Sequence, residues 1–240
     1  MLKHLQFLSL LLLIFLNSCS SIYIPSVPNT PMLSTQGEIA AGAHISLKGN
    51  VNFNSAYAVS NHFALLLNGA YMKNETINKD IKHKMVEFGG GYFDTFGPDE
   101  NRIIEIYAGI GSGKSDRLFN ATDFQEAKYD KKFIQVNYSS KKKDNIHLFG
   151  VNFGLSYGTA LRVSFVKTND FYRNTILQAN ENNIFIEPVF FTRMMLSEQV
   201  QLQYTSGSNF GLKSRKFLNA GNSVFSIGAV INLGRTPKKQ

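Results

Sequence analysis

The chain has 240 residues, a formal net charge of +8 and 12% aromatic residues. This length accommodates one large domain or two small ones, and the basic balance favours an anionic partner such as lipid headgroups or an acidic glycan. Beyond the N-terminal stretch there is no second run of about 18 apolar residues, so any membrane crossing by the mature chain must use strands.

The N-terminal stretch has the pattern of an export signal. Lys3 is positively charged, Leu5–Leu16 is apolar but too short for a permanent membrane anchor, and the small residue Ser18 follows. The sequence Leu16-Asn17-Ser18-Cys19 resembles a bacterial lipobox. The resemblance implies that residues 1–18 are a lipoprotein signal peptide and that Cys19, the only cysteine, carries acyl chains. Such an exported chain is not expected to bind nucleic acid.

Residues 20–37 have no charged side chain and contain three prolines, Pro25, Pro28 and Pro31. This composition predicts that residues 19–37 form the lipid anchor and an extended spacer outside the folded domain. Some lipoproteins carry acidic residues after the cysteine as a signal for surface export. Their absence here implies an anchor in the periplasmic leaflet.

From residue 38 to residue 234 the chain alternates between apolar and polar positions, as strands do. Ten predicted strands lie at 38–47, 51–59, 63–71, 86–92, 104–110, 149–155, 161–165, 184–190, 200–204 and 225–233. Short links at 60–61, 97–101, 158–159 and 196–198 alternate with long polar links at 74–83, 116–145, 169–182 and 207–220. This alternation predicts an all-β, up-and-down antiparallel transmembrane barrel of about ten strands, followed by a basic tail at 235–240. Residues 131–138 are interpreted as a hairpin within the long third loop, and eight or twelve strands remain possible.

Alternation alone does not distinguish a membrane barrel from a soluble one. Two features favour the membrane barrel: glycines, asparagines and single charges lie opposite the apolar face, and aromatic residues recur at the strand ends. The alternative is a soluble periplasmic lipocalin-like barrel that binds a small apolar ligand.

Residues 19–234 resemble the small outer-membrane β-barrel proteins of Gram-negative bacteria, in a lipid-anchored form. The lipobox and the closing strand Ser223–Leu233 carry the resemblance; the latter is similar to the signal that barrel-assembly machinery recognises. The resemblance implies an outer-membrane location, barrel-assembly machinery as a partner, and a structural or surface-recognition role. Architecture alone does not fix function.

Motifs for chemistry are few. Ala108–Ser115 fits a relaxed phosphate-loop pattern, but strand alternation continues through its glycines, so we expect a barrel strand. No metal-ligand spacing occurs, and we expect no metal, no cofactor and no enzyme activity. His44 and Ser46 share the inward face of the first strand, which leaves an outer-membrane lipid hydrolase or acyltransferase as an alternative.

Two sets of charged residues are predicted to be functional. Inward-facing charges on different strands should form a paired network that closes a narrow lumen; they are Glu87, Glu105, Arg162, Glu187 and Arg193. Basic residues in the outer loops should contact the phosphates of outer-membrane lipids, including lipopolysaccharide; they are Lys141, Lys142, Lys143, Lys213, Arg215 and Lys216.

Overall fold

The computed structural model of the protein describes residues 21–77, 79–119, 122–148, 150–219 and 223–234. Their strands are β1 (Ile39–Ser46), β2 (Val51–Ala58), β3 (Phe63–Thr76), β4 (Lys79–Phe96), β5 (Arg102–Phe119), β6 (Asp123–Leu148), β7 (Val151–Arg173), β8 (Ile176–Leu177), β9 (Asn182–Met195), β10 (Val200–Gly207), β11 (Phe210–Gly211) and β12 (Val224–Leu233). A 3₁₀ turn spans Pro98–Glu100. Within these ranges no helix is long and apolar enough to cross a membrane.

Ten of the strands form a closed antiparallel barrel. Consecutive long strands pair with one another. β7 pairs directly with β9, since β8, which lies between them in the chain, has only two residues. β12 pairs with β1 and closes the sheet. The expectation of an all-β, up-and-down barrel of about ten strands is confirmed. Closure removes the free strand edges that would otherwise need partners.

The ten strands are not the ten that the sequence predicted. Residues 131–138 lie in the middle of β6, which pairs with β5 on one side and β7 on the other, so the predicted loop hairpin is wrong. The sequence predicted two strands at 149–155 and 161–165. From residue 151 onwards both belong to the single strand β7. The predicted turn at 158–159 is wrong, because Gly158 lies within β7. A Cβ there would lie 2.6 Å from a ring carbon of Phe191, so this glycine makes room for a neighbouring ring within the strand.

The two ends of the barrel differ. At one end, called the turn end, the connections are 59–62, 97–101, 149–150 and 196–199, and both barrel termini lie there. At the other end, called the hairpin end, they are 47–50, 77–78, 120–122, 174–181 and 208–223. Most of the predicted long links are strand: β4 has 18 residues, β6 has 26 and β7 has 23. Since about ten residues per strand cross a bilayer, the β3–β7 wall extends well beyond that thickness at the hairpin end.

The barrel is apolar outside and polar inside. On β1, Ile45 faces outward and is 58% exposed, whereas the neighbouring His44 faces inward and is 3% exposed. The outward apolar residues of all ten long strands make a continuous band, called the apolar belt. Tyrosines lie on its turn-end side, at Tyr57, Tyr92, Tyr138 and Tyr157. The alternation that the sequence showed is therefore present, with the apolar side facing outward.

Candidate functional site

The lumen is filled by the protein's own N-terminal segment, residues 21–33, called the lumen segment. Every residue in it is buried. At the turn end, Leu33 packs in a cluster with Ala58. At the hairpin end, the backbone N–H of Ile22 donates to the carbonyl of Phe217 at 2.9 Å. The chain therefore passes through the whole barrel before it enters β1.

This placement corrects the predicted spacer for the described residues. Prolines at every third position favour a polyproline II conformation, which has three residues per turn and no internal hydrogen bonds. The backbone of such a segment needs partners from its surroundings when it is buried. Inward-facing side chains of the barrel supply them, and the absence of charge in the segment keeps the desolvation cost low.

A charged cluster surrounds the hairpin-side half of the segment. Glu87 forms ion pairs with Lys131 at 2.7 Å and with Arg162 at 3.2 Å. Lys131 Nζ also lies 2.7 Å from the hydroxyl oxygen of Tyr23, and that hydroxyl donates to Glu187 Oε1 at 2.7 Å. Tyr23 thus connects the lumen segment to Lys131 and Glu187. The side chains of Tyr23 and of the four charged residues are all fully buried.

Amide and carboxylate side chains hold the turn-side half of the segment. The carbonyl of Asn29 accepts hydrogen bonds from Gln135 at 2.6 Å and from Asn137 at 3.1 Å. Further along, Glu105 Oε1 accepts the backbone N–H groups of Met32 at 3.0 Å and Leu33 at 3.3 Å. These bonds come from the neighbouring strands β5 and β6 and hold the segment from Asn29 to Leu33.

The structure places the five predicted network residues in the lumen and gives them different partners. Glu87 and Arg162 pair directly. Glu187 is bound by Tyr23, Glu105 holds the segment backbone, and Arg193 donates to the carbonyl of Thr30. The sequence interpretation assigned Lys131 to a loop and missed it. The available signal was its alternation with the inward residues Phe133 and Gln135 on the same strand.

The six predicted basic loop residues lie at opposite ends of the barrel. Lys213, Arg215 and Lys216 are at the hairpin end, where the guanidinium of Arg215 donates to the carbonyl of Asn182. Residues 141–143 lie in β6 near the turn end, and the backbone N–H of Lys141 donates to the carbonyl of Asn101 at 2.6 Å. Their predicted placement in an outer loop is wrong because β6 runs through the region that was assigned to that loop.

Little free volume remains in the lumen. One cavity beside His44 and Arg193 measures about 10 Å³, and another beside Pro25 and Asn52 measures about 20 Å³. Each has room for about one water molecule. Neither cavity is large enough to hold a small-molecule ligand.

The other predicted motifs have structural explanations. Ala108–Ser115 lies within β5 and pairs with β4 and β6, so it is strand rather than a phosphate loop, as expected. His44 is buried, and its Nδ1 has no hydrogen-bond partner among the described residues. The hydroxyl of Ser46 accepts the N–H of Asn50 at 3.0 Å. Among the residues described, no cluster of His, Cys, Asp and Glu is arranged to hold a metal. The predicted signal peptide, Cys19 and the basic tail 235–240 lie outside the described residues.

Comparisons with known proteins leave the function open. No protein-family model matches the sequence, and no characterised protein is significantly similar to it. Among solved structures, the translocator domain of autotransporter NalP from Neisseria meningitidis is similar with a TM-score of 0.42 and 10% sequence identity, over 81% of this chain and 86% of that chain. A similarity at this level carries no functional argument.

Proposed function

We propose that this protein is an outer-membrane barrel whose lumen is sealed by its own N-terminal segment, with a structural or surface-recognition role. It is assembled by barrel-assembly machinery and contacts outer-membrane lipids. It acts without enzyme activity and without a cofactor. The hairpin end faces the cell exterior and the turn end faces the periplasm, which is the arrangement usual for barrels with short turns at one end and longer connections at the other.

The observation that carries the proposal is the inverted polarity of the barrel. Phe63 and Ile110 on the outer face are 56% and 62% exposed, while Arg162 and Glu87 inside are fully buried. A soluble barrel would have the opposite arrangement, because exposed apolar surface over a whole barrel is unfavourable in water. In a bilayer the same surface contacts lipid tails.

The filled lumen supports a sealed barrel rather than a pore. The segment is held by side-chain hydrogen bonds to its backbone, by the Tyr23 hydroxyl between Lys131 and Glu187, and by packing of Ile22 and Tyr23 against Phe185 and Leu218. Removing the segment from the lumen would break the hydrogen bonds that Gln135, Asn137 and Glu105 make to its backbone and would expose the apolar cluster around Ile22 and Tyr23. We therefore infer that the sealed state is permanent.

The direction of the lumen segment also bears on the proposed lipid anchor. Ser21 lies at the hairpin end, where the guanidinium of Arg117 donates to its carbonyl. Two residues span at most about 7 Å, far less than the roughly 30 Å of a bilayer core. An acylated Cys19 therefore belongs to the leaflet at the hairpin end, so the proposed orientation revises the expectation of a periplasmic-leaflet anchor.

Membrane insertion and sealing are tested on the full-length protein expressed in a Gram-negative host. We expect an outer-membrane protein whose unboiled band on a denaturing gel shifts on boiling, with no steady ion conductance in planar bilayers. A variant that lacks residues 21–33 and still gives the shifted band should conduct. A soluble, unshifted protein contradicts the membrane barrel, and steady conductance of the wild type contradicts the seal.

Orientation is tested with an epitope inserted between Ser20 and Ser21. On intact cells the epitope should bind antibody, whereas an epitope in the turn 97–101 should do so only after the outer membrane is permeabilised. The reverse pattern would show that the hairpin end faces the periplasm.

A further inference from the structure

A row of lysines lies on the outer face of the barrel at the hairpin-end edge of the apolar belt. On each of the neighbouring strands β3–β7, the first charged outward-facing residue beyond the apolar positions is a lysine. These residues, called the lysine arc, are Lys73, Lys84, Lys114, Lys132 and Lys167. No strand of this wall has an acidic residue in that position.

The arc lies directly against apolar and aromatic side chains. Lys84 pairs in register with Tyr71 on β3 and with Lys114 on β5. Lys132 pairs in register with Ile110 and Phe165, both of which belong to the apolar belt. A lipid-facing lysine at the edge of an apolar band must extend its ammonium group to the headgroup level, where water and lipid phosphates are available.

Three members of the arc lack an ion pair among the described residues, and only one of them, Lys167, has an acidic cross-strand partner, Asp130. In the described chain, Lys84, Lys132 and Lys167 form no ion pair with a carboxylate, although Lys73 bonds Glu75 at 2.8 Å and Lys114 bonds Glu126 at 2.5 Å. Further from the belt, charges pair within the protein, as between Lys128 and Asp170 at 3.4 Å. Unpaired cations are therefore concentrated at the depth of lipid phosphates.

The opposite wall has no such row. Beyond the belt at the hairpin end, the corresponding outward positions on β9 and β10 are the uncharged residues Asn182 and Ser206, and the exposed residue just before β12 is Ser223. The positive charges of the opposite wall at this end, Lys213, Arg215 and Lys216, lie in the connection 208–223 rather than at outward strand positions, so the row itself is confined to β3–β7.

We propose that the lysine arc binds the phosphate groups of a phosphorylated glycolipid in the leaflet at the hairpin end, with the acyl chains against the β3–β7 wall. The inference rests on the proposed membrane barrel. Five neighbouring strands about 4.8 Å apart make the arc roughly 20 Å wide. This width suits a large headgroup with several phosphates better than a single glycerophospholipid, and the apolar belt directly below accepts the acyl chains.

The experiment measures lipid binding to purified full-length protein in zwitterionic nanodiscs, with bisphosphorylated lipid A as the probe. We expect the triple variant Lys84→Gln, Lys132→Gln and Lys167→Gln to lower affinity about 100-fold, since each lysine near an anionic lipid contributes about fivefold. The matched control variant, Lys141→Gln, Lys142→Gln and Lys143→Gln, removes the same charge near the turn end, on the other side of the apolar belt. It should lower affinity less than about threefold.

Lipid A without its phosphates, and phosphatidylglycerol, should each bind at least about tenfold more weakly than bisphosphorylated lipid A. The proposal is overturned if the two triple variants lose affinity equally or if the arc variant binds lipid A as the wild type does. It is also overturned if either of the other two lipids binds as tightly as bisphosphorylated lipid A. The boiled and unboiled bands of each variant, recorded without lipid A, report the membrane barrel separately from binding. If the triple variant lacks the shifted band, the single variants Lys84→Gln and Lys132→Gln replace it, each with an expected loss of about fivefold.

Discussion

Glu87 pairs with two buried cations. Neutralising it should therefore lower the stability of the barrel more than neutralising an exposed charge would. Its carboxylate pairs with Lys131 at 2.7 Å and Arg162 at 3.2 Å, and it accepts a hydrogen bond from Asn68 at 3.2 Å. Glu87→Gln keeps the shape of the side chain and leaves both cations without this counter-charge. Breaking a buried ion pair by removing one partner costs about 3–5 kcal/mol.

Unfolding in urea measures this effect in detergent micelles. Since the chain contains no tryptophan, the folded fraction is read from the unboiled band on a gel. Glu126→Gln is the matched control: Glu126 pairs with Lys114 at 2.5 Å, but its side chain is 33% exposed, so the expected cost is about 0–1 kcal/mol. A Glu87→Gln variant that is as stable as the Glu126→Gln variant would refute the buried network.

A double variant separates the ion pair from other effects of the substitution. Lys131→Met removes one of the two stranded cations while keeping an unbranched side chain of similar length. Glu87→Gln combined with Lys131→Met should therefore cost less than the sum of the two single variants. Additive costs would show that Glu87 and Lys131 do not interact in the folded protein.

Two further predictions concern a strand interior and a strand end. Gly109→Ala should lower the free energy of unfolding by about 1–3 kcal/mol, because the new Cβ would lie 2.5 Å from a ring carbon of Phe133. In the control variant Gly69→Ala the new Cβ would have no atom nearer than 3.9 Å, so the free energy of unfolding should change by less than about 0.5 kcal/mol. Equal losses of the two variants in urea unfolding would contradict this prediction. At the hairpin end beyond the apolar belt, the hydrogen bond from Arg173 lowers the pKa of the Asp123 carboxyl. The stabilising contribution of this pair is therefore present above the unfolded-state pKa of Asp123 and is lost as pH falls through its folded-state pKa. Arg173→Gln should raise the folded-state pKa of Asp123 in an NMR titration. An unchanged titration curve would contradict the pairing.

The local alternation of side chains was sufficient to predict an all-β chain whose strands have one apolar and one polar face. On β5 it assigned Ile104, Ile106 and Ile110 to one face and Glu105 to the other, and the structure has the same two faces. Alternation is a property of neighbouring residues along one strand, so the sequence alone exposes it. It also identified Glu87, Glu105, Arg162, Glu187 and Arg193 as inward-facing.

The partition into strands was less accessible because it depends on neighbours distant in sequence. Gly158 looks like a turn residue when only its own segment is considered. In the folded barrel it lies beside the ring of Phe191, and this packing explains why a glycine occurs within a continuous strand. The predicted number of ten strands was correct even though β6 was omitted and β7 was divided, because these two errors compensate.

The sequence by itself determined a two-faced strand pattern, an export-like N terminus and an uncharged, proline-rich segment between them. Only the tertiary structure decided where that segment lies and which partners its residues have. Tyr23 and Glu187 are 164 positions apart and meet at 2.7 Å. Such a contact depends on how the closed sheet sets the register of ten strands around one lumen, and that register is fixed by pairing across the whole chain rather than by any local pattern.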